Sequence, residues 1–418
     1  MPTSVSPKPE KQRDVTHAHV EEGDGEEDFN LDEELGLDIP VDPLLTLLYK
    51  RHAVTSPYTT AEEREEAKAF TLQEAATHQM EPYLRFIREA LGWEEDIQEA
   101  DLEAMQAVNA KRVAALDAAV EDARQNRGDS EVREALLAKC THYARIGDLE
   151  NCLASIEVCA KQTLAVGPRL DLIFQRIRLG FAFSDNDVAA DGIRDAHRLI
   201  NSSDWERRNR LKVYEGIYYI FIRDFAKSSA LLLDSVTTFA SGELISFKDF
   251  IFVTLIATLP VLSRADLKKR IIDSPEVISA GVADAYGLVS AIYTCDYGST
   301  FTALDAVCQH QRRLIYVSSH VNYFFRGVRV LVFTQFLDSY SSVTLQRMAT
   351  TFRIPVKVLD QMLGTIISNE RITCRVDRVS DSIYTYRGDS MNFDYHRIIK
   401  NGDLLLNRIQ KLSRLVDM

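Results

Sequence analysis

The sequence predicts a mainly α-helical fold: a right-handed superhelix of stacked, TPR-like helix pairs, followed by a winged-helix module and a C-terminal helix. Three patterns carry this prediction. They are a recurring Asp followed by an apolar residue, a helix–helix–hairpin order after residue 340, and an apolar stripe at the chain end. A chain of 418 residues is long enough for two or three domains and a large core.

The acidic charge of the chain is concentrated near its N-terminus. The net charge is -13, but the segment from Asp14 to Tyr49 contains twelve Asp and Glu and no Lys or Arg. Without this segment, 50 acidic residues face 49 basic ones, so the remainder has no global field to attract nucleic acid. Residues 1–38 are predicted to be a disordered acidic leader. This composition fits both a docking tail and a solvated leader. We favour the solvated leader.

Residues 39–127 are predicted to form N-terminal helices. The helical pattern begins at Pro43, and strong helix formers dominate the longest segment. The predicted helices are Leu44–His52, Thr60–Phe70, Glu81–Leu91 and Ile97 to about Asn126. Gly128 is expected to end the last of them.

Residues 128–338 are predicted to form helical repeats. Each of five Asp residues precedes an apolar residue and lies where one amphipathic helix gives way to the next; they are Asp148, Asp187, Asp224, Asp266 and Asp296. Their separations of 39, 37, 42 and 30 residues are typical of stacked helix pairs. We interpret each Asp as a helix N-cap, a structural role rather than a catalytic one.

Residues 339–388 have the order of a winged helix. Ser342–Phe352 and Ile354–Ser368 are predicted helices, joined by a tight connection at Arg353. Ile372–Val376 and Ile383–Tyr386 are predicted strands of a hairpin. Two helices followed by a hairpin is an elaborated helix-turn-helix.

Residues 389–418 are predicted to form a C-terminal bundle helix. Leu405, Ile409, Leu412 and Val416 recur at spacings of four, three and four, which places them on one helix face. An apolar stripe on a terminal helix needs a surface that covers it. We therefore predict that these four residues bind partner chains.

No pattern in the sequence indicates catalysis, a metal or a cofactor. His17 and His19 resemble a metalloprotease pair, but Glu27 and Asn30 stand at the offsets where that pattern has Ser and Asp. The six cysteines have no zinc-finger spacing, and no phosphate-binding loop is present. No apolar run approaches the ~20 residues of a membrane span. The sequence thus predicts neither catalytic, cofactor-binding nor metal-binding residues, and no membrane contact.

Nucleic-acid binding is a weaker alternative. The second winged-helix helix contains Lys357 as its only base and also carries Asp360, which suits phosphate contact poorly. Arginines of the hairpin region leave weak binding through the wing open; they are Arg371, Arg375, Arg378 and Arg387. A sheet edge that faces another protein is the favoured interpretation.

The combined layout resembles the PCI-domain lid subunits of the 26S proteasome regulatory particle, and within them the family of the seventh non-ATPase subunit. The stretches that carry the resemblance are Asp204–Gly216, Ile222–Phe225 and Gly402–Arg414, and the similarity covers about residues 43–418. It implies a PCI domain at about residues 216–388. One departure is the run before the first wing strand, where the family has a Gly: either Asn369 takes the left-handed conformation of that Gly, or the turn differs.

The resemblance implies a non-catalytic scaffold that supports lid assembly and ubiquitin-dependent degradation in the cytoplasm and nucleus. The expected partners in this hetero-oligomer are other PCI-type lid subunits, the lid metalloprotease subunits and the ATPase ring. Two alternatives stay open: a PCI scaffold of the signalosome, which should lack the Gly402–Arg414 signature, and a winged-helix nucleic-acid-binding scaffold.

Overall fold

The computed structural model describes residues 42–93, 97–200, 203–385 and 390–416. The predicted leader of residues 1–38, with His17 and His19, lies outside this part. The described chain is mainly helical, with one small sheet near its C-terminal end. The predicted fold class is thereby confirmed, whereas the handedness of the superhelix and the domain limits stay predictions.

The N-terminal helices are α1 (Pro43–Thr55), α2 (Ala61–Thr77), α3 (Glu81–Leu91) and α4 (Glu99–Asn126). The start at Pro43 and both ends of α3 are as predicted. Gly128 does not end α4, contrary to the prediction, because Arg127 is its C-cap. Gly128 has an extended backbone and instead precedes the first residue of the next helix.

The repeat region consists of sequential helix pairs. The first six helices are α5 (Asp129–Ile146), α6 (Leu149–Gln162), α7 (Val166–Phe183), α8 (Asn186–Leu199), α9 (Trp205–Phe221) and α10 (Phe225–Ser235). The following helices are α11 (Phe247–Thr258), α12 (Arg264–Leu267), α13 (Pro275–Ser279), α14 (Ala283–Thr294), α15 (Tyr297–Arg313), α16 (Ile315–Ser318) and α17 (Val321–Leu337), with a π-helical turn at Lys268–Ile272. Close pairs are α5–α6, α7–α8, α9–α10 and α14–α15.

One turn geometry joins the helices of all four close pairs. The residue before the cap has a positive φ, and the cap is an Asp; these dipeptides are Gly147-Asp148, Ser184-Asp185, Arg223-Asp224 and Cys295-Asp296. The backbone N–H of each Asp donates to the carbonyl five residues earlier, for example from Asp185 to Gly180 over 2.8 Å. This left-handed residue closes one helix, and the Asp opens the next. We call this arrangement the αL–Asp turn.

Two of the five predicted caps were wrong. Asp187 lies inside α8, whose cap is Asp185, and Asp266 lies inside α12, whose cap is Ser263. With Asp185 and Ser263 in place of these two, the five caps from Asp148 to Asp296 are separated by 37, 39, 39 and 33 residues. This spacing is more even than the predicted one. The error at Asp187 arose because Asp185 and Asp187 are only two positions apart, and only the folded turn distinguishes them.

One hydrophobic core runs through the repeats into the winged helix. Tyr214 and Ile217 on α9 are fully buried, as their helical spacing predicts. Gly216 between them has no room for a side chain, because a Cβ there would lie 2.5 Å from Cδ2 of Leu232 on α10. Close contact between α9 and α10 therefore depends on a glycine.

A buried polar cluster fixes α1 to the repeats. Arg178 on α7 donates to Asp42 at 2.9 Å and to the hydroxyl of Tyr214 at 3.0 Å, and it pairs with Glu243 at 3.4 Å. Burial acts to lower the pKa of Arg178, but Tyr214, Asp42 and Glu243 together raise it above its usual value. The N-terminal helices are thus anchored through a charge that stays fully ionised.

The winged helix has the element order β1 (Ser342–Thr344), α18 (Leu345–Phe352), α19 (Val356–Ser368), β2 (Cys374–Asp377) and β3 (Ser382–Thr385). Both antiparallel pairs involve β3, so the strand order is β1-β3-β2. The predicted hairpin and second helix are confirmed. The prediction of one helix over Ser342–Phe352 was wrong at its start, because Ser342–Thr344 pairs with β3 and Thr344 then caps α18.

The turn after α19 follows the second of the two expectations, because Asn369 does not take the left-handed conformation. Asn369 has a φ of -88° and completes the last helical turn, whereas Glu370 has the positive φ of 54°. The N–H of Glu370 donates to Ile367, and that of Arg371 donates to Ile366. The chain reversal therefore falls one residue later than expected.

Candidate partner-binding surfaces

The C-terminal helix α20 (Ser390–Val416) presents its apolar residues to solvent. Each of its residues whose side chain is described is exposed. Leu405 is 60% exposed, Ile409 57%, Leu412 62% and Val416 77%. The four predicted partner-binding residues thus share one uncovered helix face, while their contact with a partner stays a prediction.

The apolar stripe is longer than the sequence analysis indicated. Going back from Leu405 in steps of three and four residues reaches Gly402, Ile398, Tyr395 and Met391. The helix of 27 residues is about 40 Å long. A regular four-three spacing over this length is the pattern of a left-handed coiled coil or bundle. The repeat itself was the signal that could have revealed these earlier positions.

A second apolar face lies beside the stripe. Ile399 and Leu406 are seven residues apart and more than half exposed, and both lie about 100–120° around the helix from Leu405, on one flank of the stripe. Leu404 and Leu415 are exposed on the opposite flank. One neighbouring helix covers only one stripe, so two apolar faces indicate that α20 needs more than one neighbour.

The edge of the winged-helix sheet is another candidate surface. In the order β1-β3-β2, β2 lies at one edge, and β1, with three residues, at the other. On the outer face of the sheet, Tyr384 stands opposite Arg375 and is 44% exposed. A strand at a sheet edge offers backbone groups to which another chain can add.

The winged helix is held against the repeats by aromatic rings. Phe352 at the end of α18 is buried and lies 5.0 to 5.9 Å from the ring centres of four residues of α15 and α17, which are Tyr297, Phe301, Phe333 and Phe336. Gly298 leaves space for the left-handed Arg353 beside this cluster. This packing fixes the direction in which the sheet edge faces.

The helix that would read DNA in a winged-helix protein makes an ion pair with the wing. Arg378 from the turn between β2 and β3 pairs with Asp360 on α19 at 3.0 Å. Lys357 is exposed on the same helix, and Arg387 lies outside the described residues. This pairing uses one of the few positive charges available for phosphate contact.

Within the described ranges, no group of three or more His, Cys, Asp and Glu could hold a metal ion. No helix of the described chain has the length and hydropathy to cross a membrane. The cysteines at 140, 152 and 159 are buried free thiols, and burial raises the pKa of Cys140 to about 11.

Comparison with known proteins links these surfaces to one family. Residues 98–270 match the family model described as 26S proteasome subunit RPN7, residues 304–387 match the PCI domain, and residues 395–416 match the 26S proteasome regulatory subunit RPN7/PSMD6 C-terminal helix. The last range includes all four predicted partner-binding residues.

Curated relatives extend the similarity over nearly the whole chain. The chain is 36% identical to the 26S proteasome non-ATPase regulatory subunit 6 homolog of Arabidopsis thaliana, over 90% of this chain and 97% of that protein. It is 40% identical to the Oryza sativa 26S proteasome non-ATPase regulatory subunit 6, over 72% and 79%. Similarity to COP9 signalosome complex subunit 1 of Arabidopsis thaliana is lower, at 22% over 46% and 45%.

Proposed function

We propose that the chain, which belongs to the family of 26S proteasome subunit RPN7, is a non-catalytic scaffold subunit of the proteasome lid. In this role it supports lid assembly and, through it, ubiquitin-dependent protein degradation. The observation that carries the proposal is α20, a long helix whose apolar side chains are uncovered. Side chains of this kind stabilise a helix bundle only when other chains cover them.

The proposed partners follow from the two exposed surfaces. The two apolar faces of α20 suit a bundle with helices of other lid subunits, among them the lid metalloprotease subunits. The β2 edge suits addition of a strand from another PCI-type subunit. We further propose contact of the assembled lid with the ATPase ring, a place in the lid as its seventh non-ATPase subunit, and a location in the cytoplasm and nucleus.

The relative strength of the matches argues against the signalosome alternative. The Gly402–Arg414 stretch lies within the C-terminal helix match, whereas similarity to the signalosome subunit covers less than half of this chain. The Asp360–Arg378 pair weakens the nucleic-acid alternative.

The test is the double variant Leu405→Asp with Leu412→Asp in the full chain. Burial of a Leu side chain contributes about 1.5–3 kcal/mol, so two buried Asp residues should sharply weaken bundle formation. We expect affinity purification of the tagged variant, with mass spectrometry of bound proteins, to recover far fewer proteasome subunits than the wild-type chain. The thermal unfolding of the repeats should not change.

The matched control is Asn407→Asp with Lys411→Gln. It lowers the charge of α20 by the same two units at exposed polar positions away from the stripe. This control should recover proteasome subunits at the wild-type level. Normal incorporation of the leucine variant would rule out the bundle role of α20.

A further inference from the structure

A groove runs along α5 between the N-terminal helices and the first repeats. Two cavities form it, with volumes of about 740 and 390 Å³. Thr141 and Arg145 of α5 line both cavities, so the two adjoin each other along this helix. The larger cavity begins at Asp42, the residue at which the described chain starts.

The end of the groove next to Asp42 is mainly apolar. Its walls include Leu44 and Leu47 from α1, Phe70 from α2, and Ala144 from α5. The acidic groups here already have partners, because Asp42 binds Arg178 at 2.9 Å and Glu74 of α2 contacts His78 at 3.2 Å. An apolar segment of a peptide would fit this end.

The far end of the groove is positively charged. Arg112 of α4 and Arg145 of α5 line it on either side of His142. Burial and these two arginines lower the pKa of His142, which indicates a positive local field. Arg145 donates to Nδ1 of His78 at 2.8 Å, and Glu134 is the acidic residue of this lining.

One buried polar atom in the groove has no partner. His142 is 9% exposed, and its Nε2 makes no hydrogen bond within the described residues. A buried imidazole nitrogen without a partner costs free energy, so it marks a place where a polar group is expected to bind.

We propose that this groove holds residues 28–41 of the same chain, the part of the acidic leader that directly precedes α1. The order of residue types in this segment matches the order in the groove. The apolar residues Leu35, Leu37 and Ile39 lie closest to Asp42 in the sequence. The acidic run 32–34 precedes them and is therefore farther from Asp42. Nine residues of extended chain span at most about 30 Å, which sets how far from Asp42 the acidic run can extend along the groove.

The tether makes such docking favourable even if each contact is weak. A segment attached beside its binding site has an effective concentration in the millimolar range. The proposal assigns the leader a docked state, in contrast to the solvated state that its composition favours. It goes beyond the scaffold role and does not depend on it.

Hydrogen–deuterium exchange of the full chain, followed by mass spectrometry, tests the proposal. We expect the amides of residues 28–41 to exchange more slowly than those of residues 1–13, and to lose this protection in high salt. Arg112→Glu with Arg145→Glu should reduce the protection by a factor of roughly 2 to 30, the range for two surface ion pairs.

A charge swap separates docking from damage to the fold. Changing Asp32, Glu33 and Glu34 to Lys should remove the protection without altering the thermal unfolding of the helices. Combining these changes with the arginine variant should restore it. The control Lys268→Glu with Lys269→Glu, at exposed positions on the π-helical turn, should leave it unchanged.

Exchange of residues 28–41 at the same rate in the wild-type chain and in the Arg112/Arg145 variant would overturn the proposal. Protection that persists in both charge-reversal variants would also overturn it, because docking would then not depend on the arginines.

Discussion

At the scale of single residues, the clearest consequence of folding is the burial of tyrosine hydroxyls. Tyr83 on α3 is fully buried, its hydroxyl has no hydrogen-bond partner in the described part of the chain, and its Cβ lies 2.8 Å from the position of a Cβ on Gly147. Burial raises the pKa of Tyr83 to about 12, against a smaller opposing effect of Arg51. The folded state therefore resists ionisation of this side chain.

The variant Tyr83→Phe should change how stability depends on pH. A raised pKa in the folded state means that stability is full below the unfolded pKa of about 10 and falls as pH rises towards 12. One such group contributes a decline of up to about 1.4 kcal/mol for each pH unit in this window. We expect the variant to be as stable as wild type or more stable at pH 7, and to lose less stability between pH 10 and 11.5.

Urea unfolding followed by circular dichroism at several pH values measures this. Tyr395→Phe is the control, since Tyr395 is 70% exposed on α20. Parallel pH profiles of wild type and Tyr83→Phe would contradict the prediction.

At the scale of elements, the αL–Asp turn sets the repeat. In α8, the carboxylate of Asp185 accepts hydrogen bonds from the N–H groups of Asp187 and Val188, at 3.0 and 3.2 Å. Asp148 and Asp224 likewise accept from the third residue of their helices, whereas Asp296 accepts from the hydroxyl of Ser299 instead. Asp thus occupies the same position in all four turns, although its carboxylate accepts a hydrogen bond from a backbone N–H in three of them and from a side-chain hydroxyl in the fourth.

Asp185→Ala should destabilise the chain more than Asp187→Ala. Loss of a side-chain N-cap costs roughly 0.5–2 kcal/mol, while an acidic residue in the first helical turn contributes roughly 0.3–1 kcal/mol through the helix dipole. Thermal unfolding of the two single variants under the same conditions compares them directly. Equal losses, or a larger loss for Asp187→Ala, would show that the turn does not depend on this cap.

At the scale of the whole molecule, the near balance of charge and the exposed apolar faces both favour protein partners. Outside the segment Asp14 to Tyr49 the acidic and basic residues nearly balance, and the Asp360–Arg378 pair draws the wing towards α19. Binding to nucleic acid depends strongly on unpaired cations. In the described part of the chain, exposed large apolar side chains are instead concentrated on α20.

We therefore expect no salt-dependent binding of the purified chain to RNA or duplex DNA. Electrophoretic mobility or fluorescence anisotropy at 50 mM salt, with the concentration series extended to about 10 μM, covers the usual range of non-specific affinity. A shift at low salt that Arg375→Ala with Arg378→Ala abolishes would contradict this expectation and assign binding to the wing.

Much of the fold could be predicted from the sequence, because the relevant signals are local. The 3.6-residue periodicity located most helices, and α3 matches its predicted bounds. The four-three stripe placed Leu405, Ile409, Leu412 and Val416 on one exposed face for the same reason. The predicted stripe covered only residues from Leu405 onward, although the same spacing continues back to Met391.

The sequence by itself thus determined the helical architecture, the order of the winged helix and the face of α20, since each depends on residues close together in the chain. Only the tertiary structure decided that Ser342–Thr344 is a strand, because its partner, β3, lies about forty residues later. It also decided that Asp185 rather than Asp187 is the cap, and that Arg178 joins Asp42 to Glu243 across some two hundred residues. The physical reason is the same in each case: the stabilising contact is made by segments that only folding brings together.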